Sequence, residues 1–342
     1  MTKKTSKILL LTTGGTIASR PGEGGLAPSI GAKEILDAFE GSCPEAAISY
    51  EELLNLDSAN VQPEHWQIIA RRVFERLSEY DGIVVTHGTD TMAYTAAALS
   101  FMLRNLRKSV VLTGSQMPID EPGTDAISNL HTAVSVVLCG IAGVTLAFDR
   151  LVINGVRAVK SSTVDFGAFE SVNAPPMGIL RADGMSVLSR STVRVEDGAN
   201  VILDSALCPD VFLLKLVPGT KPEIFQTLLD MGYRGIVIEA FGLGGVHCEG
   251  RDLIAGIKKI SDAGIPVVVC SQCLHGPSDL SVYEVGTRLL DAGVIQGADM
   301  TTESAVVKLM WALGKTKDRS EIAKIFAANY AGESGGLPPL KH

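Results

Sequence analysis

Residues 7–16 read Lys7-Ile8-Leu9-Leu10-Leu11-Thr12-Thr13-Gly14-Gly15-Thr16. An unbroken apolar run that ends in hydroxyls and paired glycines predicts a buried strand feeding a tight turn. Two later stretches have the same form. Gly82-Ile83-Val84-Val85-Thr86 leads into His87-Gly88-Thr89-Asp90-Thr91, and Ser109-Val110-Val111-Leu112-Thr113 leads into Gly114-Ser115-Gln116. Helical patterns follow both, beginning near Thr91 and near Asp125. Another begins at Val61-Gln62-Pro63-Glu64, with proline in its first turn and Trp66, Ile69, Ala70, Val73 and Leu77 on one face. Strands alternating with amphipathic helices predict a parallel sheet covered by helices.

The pattern weakens between Asp183 and Pro209, where Gly184, Gly198 and several charges interrupt it. It then resumes with strands at 211–217, 235–240 and 265–270, and helices from Pro222, Arg251, Tyr283, Thr302 and Ser320. A chain of 342 residues is long enough for two cores. The expectation is an α/β protein of two α/β domains. A larger N-terminal parallel-sheet domain (flavodoxin/Rossmann-like) spans 1–190, a linker 191–209, and a smaller C-terminal α/β domain 210–342. The tail from Gly332, with Gly335, Gly336, Pro338 and Pro339, reads as mobile.

Composition excludes several classes. Hydrophobic residues make up 46% and charged residues 20%, an ordinary globular balance. The net charge is -8 with Lys and Arg scattered, which argues against a nucleic-acid partner. The apolar run after Met1 is too short for a secretion signal. Residues 133–148 contain Gly140 and Gly143, so they read as a helix end, a glycine stop and a buried strand instead of a membrane span. No membrane partner is expected, and the protein reads as soluble and cytoplasmic. Its six cysteines read as reduced thiols, and Cys270-Ser271-Gln272-Cys273 alone is weak grounds for a redox or zinc site.

Ligands of open parallel sheets collect outside the carboxyl ends of the strands. That rule singles out the three hydroxyl- and glycine-rich loops. Each alone reads as a tight turn with Ser or Thr capping a helix. Together they point to one shared polar site, where glycine lets backbone N–H groups approach a ligand. A dinucleotide site is disfavoured, since Gly14-Gly15 is not G-x-G-x-x-G and no P-loop lysine follows. A hydroxyl nucleophile needs a base. His87 is one candidate; Lys160 is another, although its spacing alone reads as a solvated lysine.

Taken together these loops resemble the bacterial-type asparaginase family, in its cytoplasmic (type I) branch. Thr13-Gly14-Gly15-Thr16-Ile17-Ala18 and His87-Gly88-Thr89-Asp90-Thr91-Met92 are similar to its two signatures. Asn55-Leu56-Asp57-Ser58, Gly114-Ser115-Gln116-Met117-Pro118, Ala168-Phe169-Glu170-Ser171 and the region Gly297 to Glu303 also match, so the resemblance covers nearly the whole chain. It implies hydrolysis of L-asparagine to L-aspartate and ammonia through a threonine acyl-enzyme, with no metal or organic cofactor. By resemblance Thr13 is the nucleophile, and Thr89, Asp90 and Lys160 polarise a hydroxyl or water. Ser58, with Asp57 beside it, holds the substrate α-carboxylate, and Asp90 the α-ammonium. Gly88, Thr89 and Ser115 line the oxyanion position, while His87 becomes loop support.

Departures carry expectations of their own. Leu26 stands where close relatives carry a lid tyrosine. Cys273 matches one wall of the regulatory pocket of some type I enzymes, but Val159 and Glu239-Ala240 do not reproduce its Thr and Arg, so weak or absent cooperativity is expected. The resemblance also implies a homodimer or homotetramer whose sites are completed by a neighbouring C-terminal domain, with residues 242–247, including His247, as the candidate contribution. Two alternatives stand beside asparaginase. One is a glutamine-preferring amidase, such as the glutaminase subunit of a tRNA-dependent amidotransferase; with the first motif at Thr12, that subunit's added N-terminal domain is not expected. The other is a catalytically silent amino-acid sensor.

Overall fold

The computed structural model describes residues 5–22, 24–39, 41–189 and 198–335. Two compact units divide between Ser205 and Ala206. The first begins with β1 (Ser6–Gly14), β2 (Ser19–Gly22), β3 (Gly25–Pro28), α1 (Ala32–Phe39), β4 (Ala46–Leu56), α2 (Pro63–Arg76), β5 (Gly82–Thr86) and α3 (Met92–Met102). It continues with β6 (Leu103–Arg104), β7 (Ser109–Thr113), α4 (Ala126–Leu138), β8 (Gly143–Phe148), β9 (Leu151–Asn154), β10 (Ala158–Lys160) and β11 (Phe169–Ser171). β12 (Gly178–Arg181), β13 (Gly184–Val187) and β14 (Ile202–Leu203) complete it.

Eight of these strands form one sheet in the order β13-β12-β9-β8-β7-β5-β1-β4. β4, β1, β5, β7 and β8 are parallel. Counted along the chain, their spatial order is 2-1-3-4-5, the flavodoxin-like arrangement, whose direction of winding reverses at β1 and β5. Ile8, Leu9, Leu10 and Leu11 are all buried because helices cover both faces, which explains the unbroken apolar run. On one face Ile8, Leu10, Val84 and Val111 pack with Ile35 and Phe39 of α1 and Leu130, Val134 and Val137 of α4. α3 is buried along almost its whole length.

At one edge the parallel sheet is extended by β9, β12 and β13, each antiparallel to its neighbour. The reversal after β8 is a turn at Asp149 and Arg150, whose φ values are 42° and 66°. Residues 133–148 follow the expected course: α4, a left-handed Gly140 at φ 66°, then β8. Within the expected linker, residues 191–197 lie outside the described residues. Residues 202–205 are tied down, because β14 pairs with β6 and Gln67 Nε2 donates to the Ser205 carbonyl at 2.7 Å.

The second unit has four parallel strands in simple order, β15 (Val211–Lys215), β16 (Gly235–Ala240), β17 (Val267–Ser271) and β18 (Ile295–Gln296). Their connections carry α5 (Ile224–Asp230), α6 (Leu253–Asp262) and α7 (Glu284–Asp291), and α8 (Thr302–Lys315) and α9 (Arg319–Ala327) follow. Leu216, Phe225, Ile236, Ile238, Ile257 and Leu289 sit in its core. The segment after α9 is more ordered than its glycines suggest. Glu333 is fully buried, pairs with Lys308 Nζ at 2.6 Å and accepts from the Tyr330 and Ala331 N–H groups. Asp299 accepts from the Ser334 hydroxyl and the Gly335 N–H. The rest of the expected mobile tail, 336–342, lies outside the described residues.

Candidate active site

The strand order brings the predicted loops to one end of one sheet. β1 pairs with both β4 and β5, with Thr12 opposite Thr86, and Thr86 in turn opposite Thr113. Two glycines let these loops stack. Gly15 has φ 83°, and any Cβ there would collide with the backbone of Gly88. A Cβ on Gly88 would come within 2.6 Å of the Ser58 hydroxyl. Loops far apart in sequence thus touch backbone to backbone, and the switch point becomes a polar crevice.

Lys160, on β10, is far from Thr89 and Asp90 in sequence but beside them in space. Its ammonium donates to Thr89 Oγ1 at 2.8 Å and to Asp90 Oδ1 at 2.7 Å. The lysine side chain is only 17% exposed, whereas Asp90 is 62% exposed. The spacing-based reading of a solvated lysine therefore fails, because α3 and the two-stranded β10–β11 ribbon bring β10 against the loop after β5. Thr89 accepts from Lys160, so its own hydrogen points elsewhere, and Gln116 Oε1 lies 3.5 Å away as acceptor. Gln116 Nε2 donates to the Asp165 carbonyl at 3.1 Å, which fixes the orientation of the amide.

Thr13 has different company. Its buried hydroxyl donates to the Thr86 carbonyl at 2.8 Å. A peptide carbonyl accepts a hydrogen bond but is too weak a base to take the proton. Of the two threonines, Thr89 is the one in contact with a side chain able to act as a base.

The remaining predicted residues lie on the loops that follow β4, β5 and β7. Ser58 is buried, and its Oγ accepts from the Asp90 N–H at 3.3 Å, which leaves its hydrogen free for a ligand. The Asp57 carboxylate is engaged as the cap of the turn at 58–60, accepting from the Ala59 N–H at 2.9 Å. The Ser115 hydroxyl donates to the Met117 carbonyl. The donor that Ser115 can still offer is its backbone N–H. The N–H groups of Gly88 and Thr89 donate to no acceptor among the described residues, so they are free to meet a developing oxyanion.

Two supports escape sequence reasoning. Asp125 accepts from the Gln116 and Met117 N–H groups, and fully buried Asn129 donates to the Gly114 carbonyl. Together they brace the loop after β7. The only sequence signal at Asp125 is that of a helix cap.

His87 is fully buried and faces Gly88 O at 2.7 Å through Nδ1 and Thr95 Oγ1 at 2.9 Å through Nε2. Since a carbonyl only accepts, Nδ1 carries the hydrogen and Nε2 accepts from Thr95. Burial pushes the imidazole down to about 4, so it is neutral and holds the loop. The unfolded chain binds a proton at His87 below about pH 6.5, while the native protein resists until about pH 4. The stability associated with the neutral ring is therefore present above pH 6.5 and is lost as pH falls toward 4, by roughly 3 kcal/mol. Denaturant titrations at pH 7.5 and 4.5 are expected to show this slope in the wild type and a smaller one in His87→Gln; equal slopes would exclude it.

The second unit holds the other candidates. His247 stacks on Phe241 at 5.6 Å and accepts from the Gly219 N–H at 3.3 Å. Cys270 is buried with its thiol pushed up to about 12, whereas Cys273 is exposed, a poor arrangement for thiol chemistry between them.

Comparison with known proteins fits these observations. A family model described as "Asparaginase, N-terminal" matches residues 7–193, and one described as "Glutaminase/Asparaginase C-terminal domain" matches residues 210–326. An L-asparaginase of Thermococcus kodakarensis is 45% identical over 96% of this chain and 99% of its own. A glutamyl-tRNA(Gln) amidotransferase subunit of Pyrococcus furiosus is 42% identical over 97% of this chain and 77% of its own. The solved structure of the thermostable L-asparaginase from Thermococcus kodakarensis superposes with a TM-score of 0.90 at 43% identity, covering 96% of this chain and 99% of that one. The chain belongs to the asparaginase family.

Proposed function

We propose that this protein hydrolyses L-asparagine to L-aspartate and ammonia through a threonine acyl-enzyme. The observation that carries the reading is the chain of contacts Asp90–Lys160–Thr89, set at the same sheet end as Thr13. Ser58 and Asp90 meet the two charged ends of an amino acid, as a desolvated zwitterion requires.

In the first half-reaction Thr13 rotates from the Thr86 carbonyl and its oxygen attacks the side-chain amide carbon. The hydroxyl proton passes to the amide nitrogen, the C–N bond breaks, and ammonia leaves a β-aspartyl ester on Thr13. In the second, water attacks the ester and gives a proton to Thr89 Oγ1, which passes its own to the Lys160 amine; Lys160 returns a proton through Thr89 to the Thr13 oxygen as the ester bond breaks, restoring the Thr13 hydroxyl and releasing aspartate. The Gly88 and Thr89 N–H groups stabilise the oxyanion in each step. All these groups belong to the chain itself, so the reading calls on no cofactor. It also includes a cytoplasmic location, self-association as a homodimer or homotetramer, and a weak or absent cooperative response to asparagine. Among the described residues no helix is long and apolar enough to cross a membrane.

A glutamine-preferring amidase is the second reading, favoured by the 42% identity to an amidotransferase subunit. One extra methylene changes pocket affinity only about 10–200-fold. Ammonia release from both amides separates the two: the expected result is a higher kcat/KM for asparagine, with measurable glutamine turnover. Preference for glutamine would select the second reading, and no turnover of either would leave the sensor.

A further inference from the structure

We propose that Thr91 is a positioning residue for substrate binding, one that forgoes capping its own helix in order to hold Ser58 in place. Thr91 occupies the N-cap position of α3, where threonine ordinarily accepts from the N–H of the second or third helical residue. It makes no such bond. Its φ and ψ of -117° and 11° lie outside the extended conformation that capping uses. The hydroxyl instead donates to the Ser58 carbonyl at 2.8 Å.

Among the described residues the same diversion occurs at one other helix, and it too borders the crevice. Asp125, at the N-cap of α4, caps no backbone N–H of its own helix; its carboxylate accepts from the Gln116 and Met117 N–H groups and from the Asn129 side-chain amide. Three helices of the second unit show the ordinary arrangement. Asp252, Thr301 and Asp318 each accept from N–H groups of the helices they start. Capping side chains are thus redirected where a helix follows a loop of the crevice.

The effect on Ser58 follows from its contacts. Its carbonyl accepts from the Thr91 hydroxyl and the Val61 N–H, and its Oγ from the Asp90 N–H. These bonds fasten the turn at 58–60, beyond β4, to the loop after β5. Ser58 Oγ then keeps one hydrogen aimed at a ligand. Losing the Thr91 bond frees the turn, and the Ser58 hydroxyl no longer waits in position for a carboxylate. Binding suffers while the reacting hydroxyls, Thr13 and Thr89, stay where they are.

This inference rests on the asparaginase reading, so its test has one measurement that needs no turnover. Thr91→Val keeps the shape of the side chain and removes the donor; Thr91→Ser keeps the donor. Backbone hydrogen exchange at residues 58–61 is expected to speed up in Thr91→Val and to stay at the wild-type rate in Thr91→Ser. For asparagine, Thr91→Val is expected to raise KM roughly tenfold, the worth of one hydrogen bond, with kcat changed less than about twofold. L-aspartate is expected to lose affinity in parallel, and Thr91→Ser to restore both. Unchanged exchange at 58–61 in Thr91→Val would overturn the proposal even if the wild type hydrolyses neither amide. Faster exchange with an unchanged KM, or a loss confined to kcat, would overturn it as well.

Discussion

Lys160→Met is expected to lower kcat for asparagine roughly 10²- to 10⁴-fold, the usual contribution of a positioned base. Methionine fills the space of the lysine stem but neither donates to Thr89 Oγ1 nor pairs with Asp90, the two contacts at 2.8 and 2.7 Å. Stability is expected to change little. Asp90 is 62% exposed, and an ion pair with one partner in water contributes about 0–1 kcal/mol. A large loss of rate with an unshifted melting temperature is therefore the signature of a chemical role. Lys160→Arg sharpens the test, because arginine preserves the charge next to Asp90 but does not give up a proton near neutral pH. It is expected to be nearly as inactive as methionine. Substantial rescue by arginine would show that the lysine serves only as a fixed charge, and wild-type turnover in Lys160→Met would remove it from the mechanism.

The parts of this fold that are legible in sequence are those whose burial is uniform. Residues 82–86 and 109–113 are strands from end to end because both faces are covered, so every side chain is apolar, small or a buried hydroxyl. Edge elements hide for the converse reason. β4 pairs on one side only, and its exposed Ser49, Tyr50, Glu52 and Asn55 are interspersed with half-buried residues, so no apolar run marks it. The antiparallel extension from β9 to β13 consists of strands of three or four residues, below the length at which a period can be recognised.

The crevice is legible in part for a related reason. Thr13, Ser58, Thr89 and Ser115 lie at or directly beyond strand ends, where the rule for open sheets looks. Lys160 is 71 residues from Thr89, and its contact depends on how the β10–β11 ribbon meets α3, which no local pattern encodes. Thr91 and Asp125 carry a misleading signal. Each is a good capping residue directly before a helix, and only the structure reveals that the side chain caps no backbone N–H of that helix.

Thr13→Ala is expected to be the most damaging single substitution, lowering kcat roughly 10⁴-fold or more, since removing a nucleophile eliminates the covalent path altogether. The fold is expected to survive. Removing the hydroxyl leaves the buried Thr86 carbonyl one donor short, at a cost of about 1–3 kcal/mol. KM is expected to stay close to wild type, because the groups assigned to the zwitterion, Ser58 and Asp90, are untouched. The comparison with Thr89→Val then divides the labour between the two threonines. If Thr13 forms the ester and Thr89 relays the proton of water, Thr89→Val stalls after ammonia has left. Intact-mass measurement during turnover is then expected to show a covalent aspartyl adduct on Thr89→Val and none on Thr13→Ala. The double variant is expected to be no slower than Thr13→Ala alone, since residues serving one covalent path do not add. An adduct on Thr13→Ala that is absent from Thr89→Val would exchange the two roles and make Thr89, the threonine already in contact with Lys160, the nucleophile.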